Sequence, residues 1–453
     1  MSRPYHYPPG LSHNLVFYFF SKFRPGDPIT FFQHLADTYG DAAYYHIGPE
    51  RVLFLNHPEL IKDVLINRSA SLHKERTQER MKILLGNGLI TSEDPYHRKQ
   101  RLVMQPAFHR QRIPEYGRHM VEKSLLWCDQ WRDRMQRGDV HLDASAEMMA
   151  LALSIVAKTL FDTEVSQAVR AINDEVNAVM KLYQFLVSLP RAEYYINLPI
   201  PGLTRFRKAR KHLDTVVFSM IEEHRRDGDR GDLLSMLLGA RYEDGLAMSD
   251  QQIRDEAMTI FLAGYETMAN ALTWTWYLLS QNPEAEGRLH EELDTVLGGR
   301  TPAFEDLPNL RYTEQVLAEA MRLYPPAWAM GRRTTEDLEV GPYYVQRGTN
   351  IYFSQYMIQR SERWWPDPLK FDPERFTPEN KAGRLRFVYF PFGGGGRQCI
   401  GESFAWMEGV LVLATLAQHF ELRTEAGFVP QLYPSVTLRP KCGMNMVLKS
   451  RKS

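Results

Sequence analysis

The sequence predicts a mainly helical α+β fold, a helical body edged by small sheets. Three observations predict it. One helical pattern runs unbroken for about 32 residues. Strand-like runs are few, short and gathered at about 40–60 and 335–355. No internal repeat divides the rest into modules. The length of 453 residues would allow roughly three domains at ~150 residues each. No break in composition is clean enough to cut the chain, so residues 1–453 are expected to form one domain.

The elements follow in order. The apolar run 15–20 is too short for a membrane span, which takes about 20 residues. Lys22 and Arg24 interrupt it and no small-residue cleavage site follows. It is expected to pack as an aromatic patch, with a membrane-surface contact as the alternative. Residues 43–47 and 52–55 flank Gly48-Pro49-Glu50-Arg51 and predict a hairpin. Pro58 opens a helix where its missing N–H costs nothing. Residues from about 98 to 226 are mainly helical, and 225–232 read as an exposed turn. Ser249 with Gln252 predicts a capping box, and the long helix then runs to Gln281, where Asn282-Pro283 stops it. At the standard rise it measures about 48 Å. Residues 258–263 are apolar nearly all round and should be buried. A helix at about 313–324 ends at Pro325-Pro326. Strand-like runs follow at 338–340, 343–345 and 351–353. A Pro-rich meander, a glycine run, a helix at about 402–419 and a Pro-spaced tail complete the chain.

Lys+Arg and Asp+Glu both number 55, giving a formal net charge of +0, which argues against a general nucleic-acid binder. The basic stretch 97–112 also lacks a stacking platform. Hydrophobic residues at 44% and charged residues at 24% are ordinary for a globular protein. Three cysteines, Cys128, Cys399 and Cys442, are too few and scattered for a disulfide framework. A reducing, cytoplasmic setting without a membrane span is expected.

Phe392-Gly-Gly-Gly-Gly-Arg-Gln-Cys399-Ile-Gly401 places a cysteine after a glycine-rich loop and just before an apolar helix. Glycines let the backbone approach a flat ligand. Loop N–H groups and the helix dipole favour a thiolate there. Such a thiolate can be the axial ligand of haem iron. The whole string matches F-x-x-G-x-R-x-C-x-G and resembles the haem-ligand signature of the cytochromes P450, the haem-thiolate monooxygenases. Cys128 and Cys442 match no motif and are expected as buried small side chains.

The resemblance spans about residues 30 to 448, because three further motifs follow in order. Ala263-Gly264-Tyr265-Glu266-Thr267 matches A-G-x-[DE]-T. It implies that Gly264 leaves room for dioxygen on a locally widened helix, that Thr267 holds a water or oxygen, and that Glu266 feeds protons, since O–O cleavage consumes two in a dry site. A small-residue helix crossing with a threonine bonded to its own helix would give the same string. Glu319-Ala-Met-Arg322 matches E-x-x-R, and with Arg375 of Phe371-Asp-Pro-Glu-Arg375-Phe376 it implies a buried structural triad. His97-Arg-Lys-Gln-Arg101, set in register by Gln105-Pro-Ala-Phe108, resembles H-x-x-x-R. It implies that His97 and Arg101 hold the haem propionates together with Arg332 and Arg397, while Phe392 opens the haem-binding string. Gln359-Arg360 departs from the His-Arg of many relatives.

The fold so implied holds haem b between the long helix and the Cys399 loop. The implied activity inserts one oxygen atom of O2 into a hydrophobic substrate such as a fatty acid, terpenoid or steroid-like compound. The stretches expected to line the pocket are 72–89, 183–189, 261–267, 327–330 and 436–438. Trp328 and Met330 are expected near the haem face. The chain contains no flavin or iron–sulfur module, so electrons are expected from a ferredoxin or flavodoxin-like protein with its reductase. That partner should be acidic and dock near Arg98, Lys99, Arg110 and Arg112. A peroxide-using or isomerising haem-thiolate enzyme and a non-catalytic haem sensor are the alternatives.

Overall fold

The computed structural model describes residues 4–11, 27–108, 113–162, 198–425 and 427–451. The expected apolar run 15–20, the pocket stretch 183–189 and Arg110 and Arg112 lie outside them.

Ten helices of seven or more residues organise the described chain: α1 Pro28–Tyr39, α2 Tyr96–Met104, α3 Ile113–Gln136, α4 Ala144–Phe161, α5 Pro201–Asp227, α6 Leu233–Gly239, α7 Asp250–Gln281, α8 Pro283–Leu297, α9 Arg311–Leu323 and α10 Glu402–Ala417. The expected long helix is α7, with 32 residues. Ser249 Oγ accepts the Gln252 N–H at 3.2 Å, and Asn282 ends the helix ahead of Pro283. Only half of the expected capping box forms, because the Gln252 side chain is used elsewhere. It donates to Glu256 Oε1 at 2.6 Å and accepts the Tyr96 hydroxyl.

α7 packs along α4, α9, α10, α5 and a strand at Phe420–Thr424. It is the axis of the largest core cluster, where Trp131, Trp274 and Trp276 are wholly buried. Among the described residues one helix, Ala144–Phe161, is long and apolar enough to cross a membrane. Its side chains from Leu151 to Ala157 are instead buried in this core.

The strands are β1 Ala42–Ile47, β2 Glu50–Leu55, β3 Leu72–Lys74, β4 His141–Asp143, β5 Met330–Thr334, β6 Leu338–Val340, β7 Tyr343–Val345, β8 Asn350–Phe353, β9 Phe420–Thr424, β10 Leu432–Pro434, β11 Leu438–Pro440 and β12 Asn445–Ser450. β1 and β2 form the expected hairpin. They belong to a five-stranded sheet in the order β1-β2-β8-β5-β3, in which only β2 and β8 run parallel. β3 and β5 are far apart in sequence, and their register sets Lys74 opposite Arg332. Two further groupings use strands of the tail: β4-β12-β9, in which β4 comes from earlier in the chain, and the β10–β11 pair. Two smaller apolar clusters lie on this sheet. One contains Leu53, Ile351 and Phe353, and the other Phe32, Phe54 and Trp328.

Candidate active site

The cysteine loop is held by its neighbours. Gly393 and Gly395 take left-handed φ of 73° and 71°, which L side chains rarely adopt. A Cβ at Gly395 would also sit 2.1 Å from the Leu65 carbonyl oxygen. That carbonyl belongs to a single π-turn at Asp63–Asn67. The Cys399 N–H closes the loop on the Phe392 carbonyl at 3.0 Å, and the Phe392 ring lies 5.6 Å from that of Trp406 on α10.

Cys399 Sγ is accessible, yet burial pushes its thiol up to about 11. The Gly401 N–H and the Arg101 charge partly favour the thiolate. The remaining deficit suits a sulfur that is ionised by a bound metal cation. Cys128 is buried, as expected, with its thiol pushed up to about 12 by that burial. Cys442 is exposed, contrary to expectation, because it lies in the tight turn at the bridge between Lys441 and Gly443.

Cations gather beside this loop. Arg101 Nη1 donates to the Gln398 carbonyl at 2.7 Å. Arg397 donates to the Ser92 carbonyl and to Glu93 Oε2, each at 2.7 Å. His97 is buried, with Nδ1 3.2 Å from Asp94 Oδ1. Burial, with Arg397 and Lys74 adding to it, holds its imidazole well below the usual range, so it is neutral. Arg332 is buried on β5 and lowered to about 10 by burial and by Arg397.

The structure adds Lys74, which no motif marked. Its Nζ donates to the Leu89 and Ser92 carbonyls at 2.8 Å each. Burial first, then Arg397, brings it down to about 6. Keeping Lys74 protonated opposite Arg332 is therefore costly unless an anion joins them. Glu93 is the nearest internal counter-charge, and two carboxylates such as haem propionates fit the remainder.

Side-chain exposure returns in the middle of α7. Phe261, Leu262, Ala263, Gly264 and Thr267 are half-buried on a helix that is mostly enclosed on either side of them. α7 is continuous α-helix through this stretch, so the implied local widening is not seen. Thr267 Oγ1 instead donates to its own helix, to the Ala263 carbonyl at 2.7 Å, within a regular turn. The Cβ that Gly264 lacks would lie 3.2 Å from Val156 of α4. The glycine is thus explained by close helix packing as well. Glu266 is buried, and its Oε1 accepts the Thr437 hydroxyl at 2.5 Å.

The loop after residue 85 is tied to the start of this helix. Asp255 Oδ2 accepts the Asn87 N–H at 2.7 Å and Glu256 Oε2 the Leu89 N–H at 2.8 Å. Met330 approaches the cysteine loop, 3.2 Å from where a Gly393 Cβ would stand. Trp328 donates to the Ser435 carbonyl at 2.8 Å.

The expected triad is present. Arg322 reaches both oxygens of Glu319 at 2.6 and 2.7 Å, and Arg375 Nε lies 3.4 Å from Glu319 Oε1. Gln359 stands where a histidine edge contact was in question. It is wholly buried, donating to the carbonyls of Met321 and Arg322 at 3.1 Å and accepting the Phe390 N–H at 3.2 Å.

Outside the buried site, a surface groove of about 1080 Å³ runs between the outward face of α2 and residues 239–244. Arg98 and Lys99 line it. At this face, expected to be locally basic, Lys99 Nζ bonds Asp244 at 3.0 Å and lies 4.0 Å over the Tyr242 ring.

Comparison with known proteins gives a consistent result. The family model described as Cytochrome P450 matches residues 8–444. "Cyclooctatin synthase" of Streptomyces melanosporofaciens is 37% identical over 92% of this chain and 89% of its own. "Pentalenene oxygenase" of Streptomyces avermitilis is also 37% identical, over 88% of this chain and 87% of its own. A cytochrome P450 crystal structure superposes with a TM-score of 0.84 at 25% identity, covering 94% of this chain and 98% of that one.

Proposed function

Because the chain belongs to the cytochrome P450 family of haem-iron monooxygenases, we propose that it inserts one oxygen atom of O2 into a terpenoid, with electrons from a separate ferredoxin- or flavodoxin-like donor. The observation that carries the reading is the Cys399 sulfur, accessible from within a desolvating loop. When bound through that sulfur, haem supplies reductive activation of O2.

The chain's own residues do the rest. Lys74, His97, Arg101, Arg332 and Arg397 are the groups proposed to hold the propionates, and Phe392 flanks the same loop. α7 presents Phe261, Leu262 and Ala263 as an apolar wall that favours a hydrocarbon skeleton and excludes bulk water. Because the Thr267 hydroxyl donates to Ala263, its lone pairs are open to accept from a proton-bearing water. Glu266 has Oε2 unbonded among the described residues, and is the acid proposed to resupply that proton. Gly264 lets α4 pack closely on this part of α7. The names of the two Streptomyces relatives favour terpenoids over fatty acids and steroids. Arg98 is proposed to help dock the donor. Action in the cytoplasm is part of the same reading.

The test is turnover under oxygen-18 gas with a purified ferredoxin, its reductase and a panel of terpenoids that shift the haem absorbance. The expected product carries one labelled oxygen. A rearranged product without new oxygen would support the isomerising alternative. Turnover with reductant but without a separate donor protein would overturn the electron route.

A further inference from the structure

Glu266 is a buried carboxylate whose hydrogen-bond partner among the described residues is a hydroxyl, with no ion pair formed there. Burying an anion without a cation is costly unless hydrogen bonds hold it, and one does. Thr437 Oγ1, itself buried, donates to Oε1 at 2.5 Å and accepts from Asn270 Nδ2 at 3.1 Å. Asn270 lies one turn further along the same helix, so Thr437 bridges two successive turns of α7.

The turn bearing Thr437 joins β10 to β11 and is itself pinned. Ser435 donates through both N and Oγ to the Thr437 carbonyl, each at 3.1 Å. The Trp328 and Trp274 indoles donate to the Ser435 and Leu438 carbonyls at 2.8 and 3.1 Å. The Leu438 N–H donates to the Pro326 carbonyl at 2.9 Å. A hydroxyl on so constrained a turn has little freedom to leave its partner.

We propose that Thr437 is a positioning residue for proton delivery. Its hydroxyl fixes Glu266 by one oxygen, so that Oε2 stays free to take a proton from one water and pass it to the next, ending as it began. The inference rests on Glu266 being the acid of the reaction. Valine at 437 would keep the shape and strip the donor, leaving Oε1 and Asn270 Nδ2 both unpaired.

The experiment compares Thr437→Val, Thr437→Ser, Glu266→Gln and the Thr437→Val/Glu266→Gln double variant in the haem-loaded protein. Product per reductant, peroxide formed, haem content and the substrate-induced absorbance shift are read together. Thr437→Val should lower product per reductant about tenfold and raise peroxide. The substrate-binding shift should stay within about twofold of the parent, as it would not for a distorted pocket. Thr437→Ser should restore coupling. The double variant should be no worse than Glu266→Gln alone. If Thr437→Val fails to load haem, Thr437→Cys, of similar size and a weak donor, takes its place. Normal coupling in Thr437→Val while Glu266→Gln is impaired would overturn the role of Thr437 and leave Glu266 standing. A silent Glu266→Gln would overturn both.

Discussion

Glu319 on α9 and Glu266 on α7 are both buried carboxylates on helices that pack together, yet their surroundings differ in kind. Glu319 is bonded through both oxygens to Arg322, approached by Arg375, and accepts the Asp372 N–H at 2.9 Å. Arg322 in turn donates to the Gln359 and Pro368 carbonyls at 2.7 and 2.8 Å. Every strong site on that pair is used, and the pair ties α9 to the meander ahead of the cysteine loop. Glu266 has one hydroxyl on one oxygen. The contrast separates a carboxylate that holds structure from one with capacity left for chemistry.

The largest effect should come from Glu319→Gln. It leaves the wholly buried Arg322 without its counter-charge, at a cost of about 3–5 kcal/mol. Denaturant unfolding of the haem-loaded protein measures it. A loss below about 1 kcal/mol, the range of surface pairs, would remove the distinction between the two glutamates. Glu266→Gln should do the reverse. Its unfolding free energy should change by about 1 kcal/mol or less, while turnover slows by about 100-fold. Thr267→Ala should still bind substrate and consume reductant but release much of it as peroxide, measured alongside product.

A smaller effect sharpens the comparison with a third buried carboxylate, Asp232. It meets His224 of α5 at 2.6 Å, and the other ring nitrogen of His224 reaches the Met220 carbonyl at 2.8 Å. Burial opposes the imidazolium, but Asp232 and that carbonyl outweigh it and raise His224. Burial likewise opposes the Asp232 carboxylate, but His224 and the Ser235 N–H outweigh it and lower Asp232. The His224 contribution is therefore full below its unfolded value of about 6.5 and fades as pH climbs through the raised folded value. The Asp232 contribution is full above its unfolded value of about 3.9 and fades as pH falls through the lowered one. Stability from this pair should peak between those limits, and His224→Gln should flatten the decline on the alkaline side. An unchanged alkaline slope would show that Asp232 does not hold His224 protonated in the folded protein.

Local signals were legible in the sequence wherever the chain decides structure by itself. Ser249 and Asn282-Pro283 bound α7 as expected, and Gly48-Pro49 marked the hairpin. The E-x-x-R motif with Arg375 of the meander placed the triad because the family pattern joins distant positions. Lys74 was missed because its meaning comes from register: only the β3–β5 pairing sets it opposite Arg332. Thr437 was placed in the pocket stretch but not beside Glu266, since that contact depends on how the β10–β11 turn docks on α7. The half-formed capping box shows the same limit, because Gln252 found better tertiary partners than its own helix end.

The central claim is that Cys399 is the thiolate ligand of a haem iron, and the absorbance of the reduced, carbonyl-treated protein tests it most directly. Thiolate donation should give the parent protein, Cys128→Ser and Cys442→Ser the same red-shifted band, and Cys399→Ser should lose it. An unchanged band in Cys399→Ser would contradict the account.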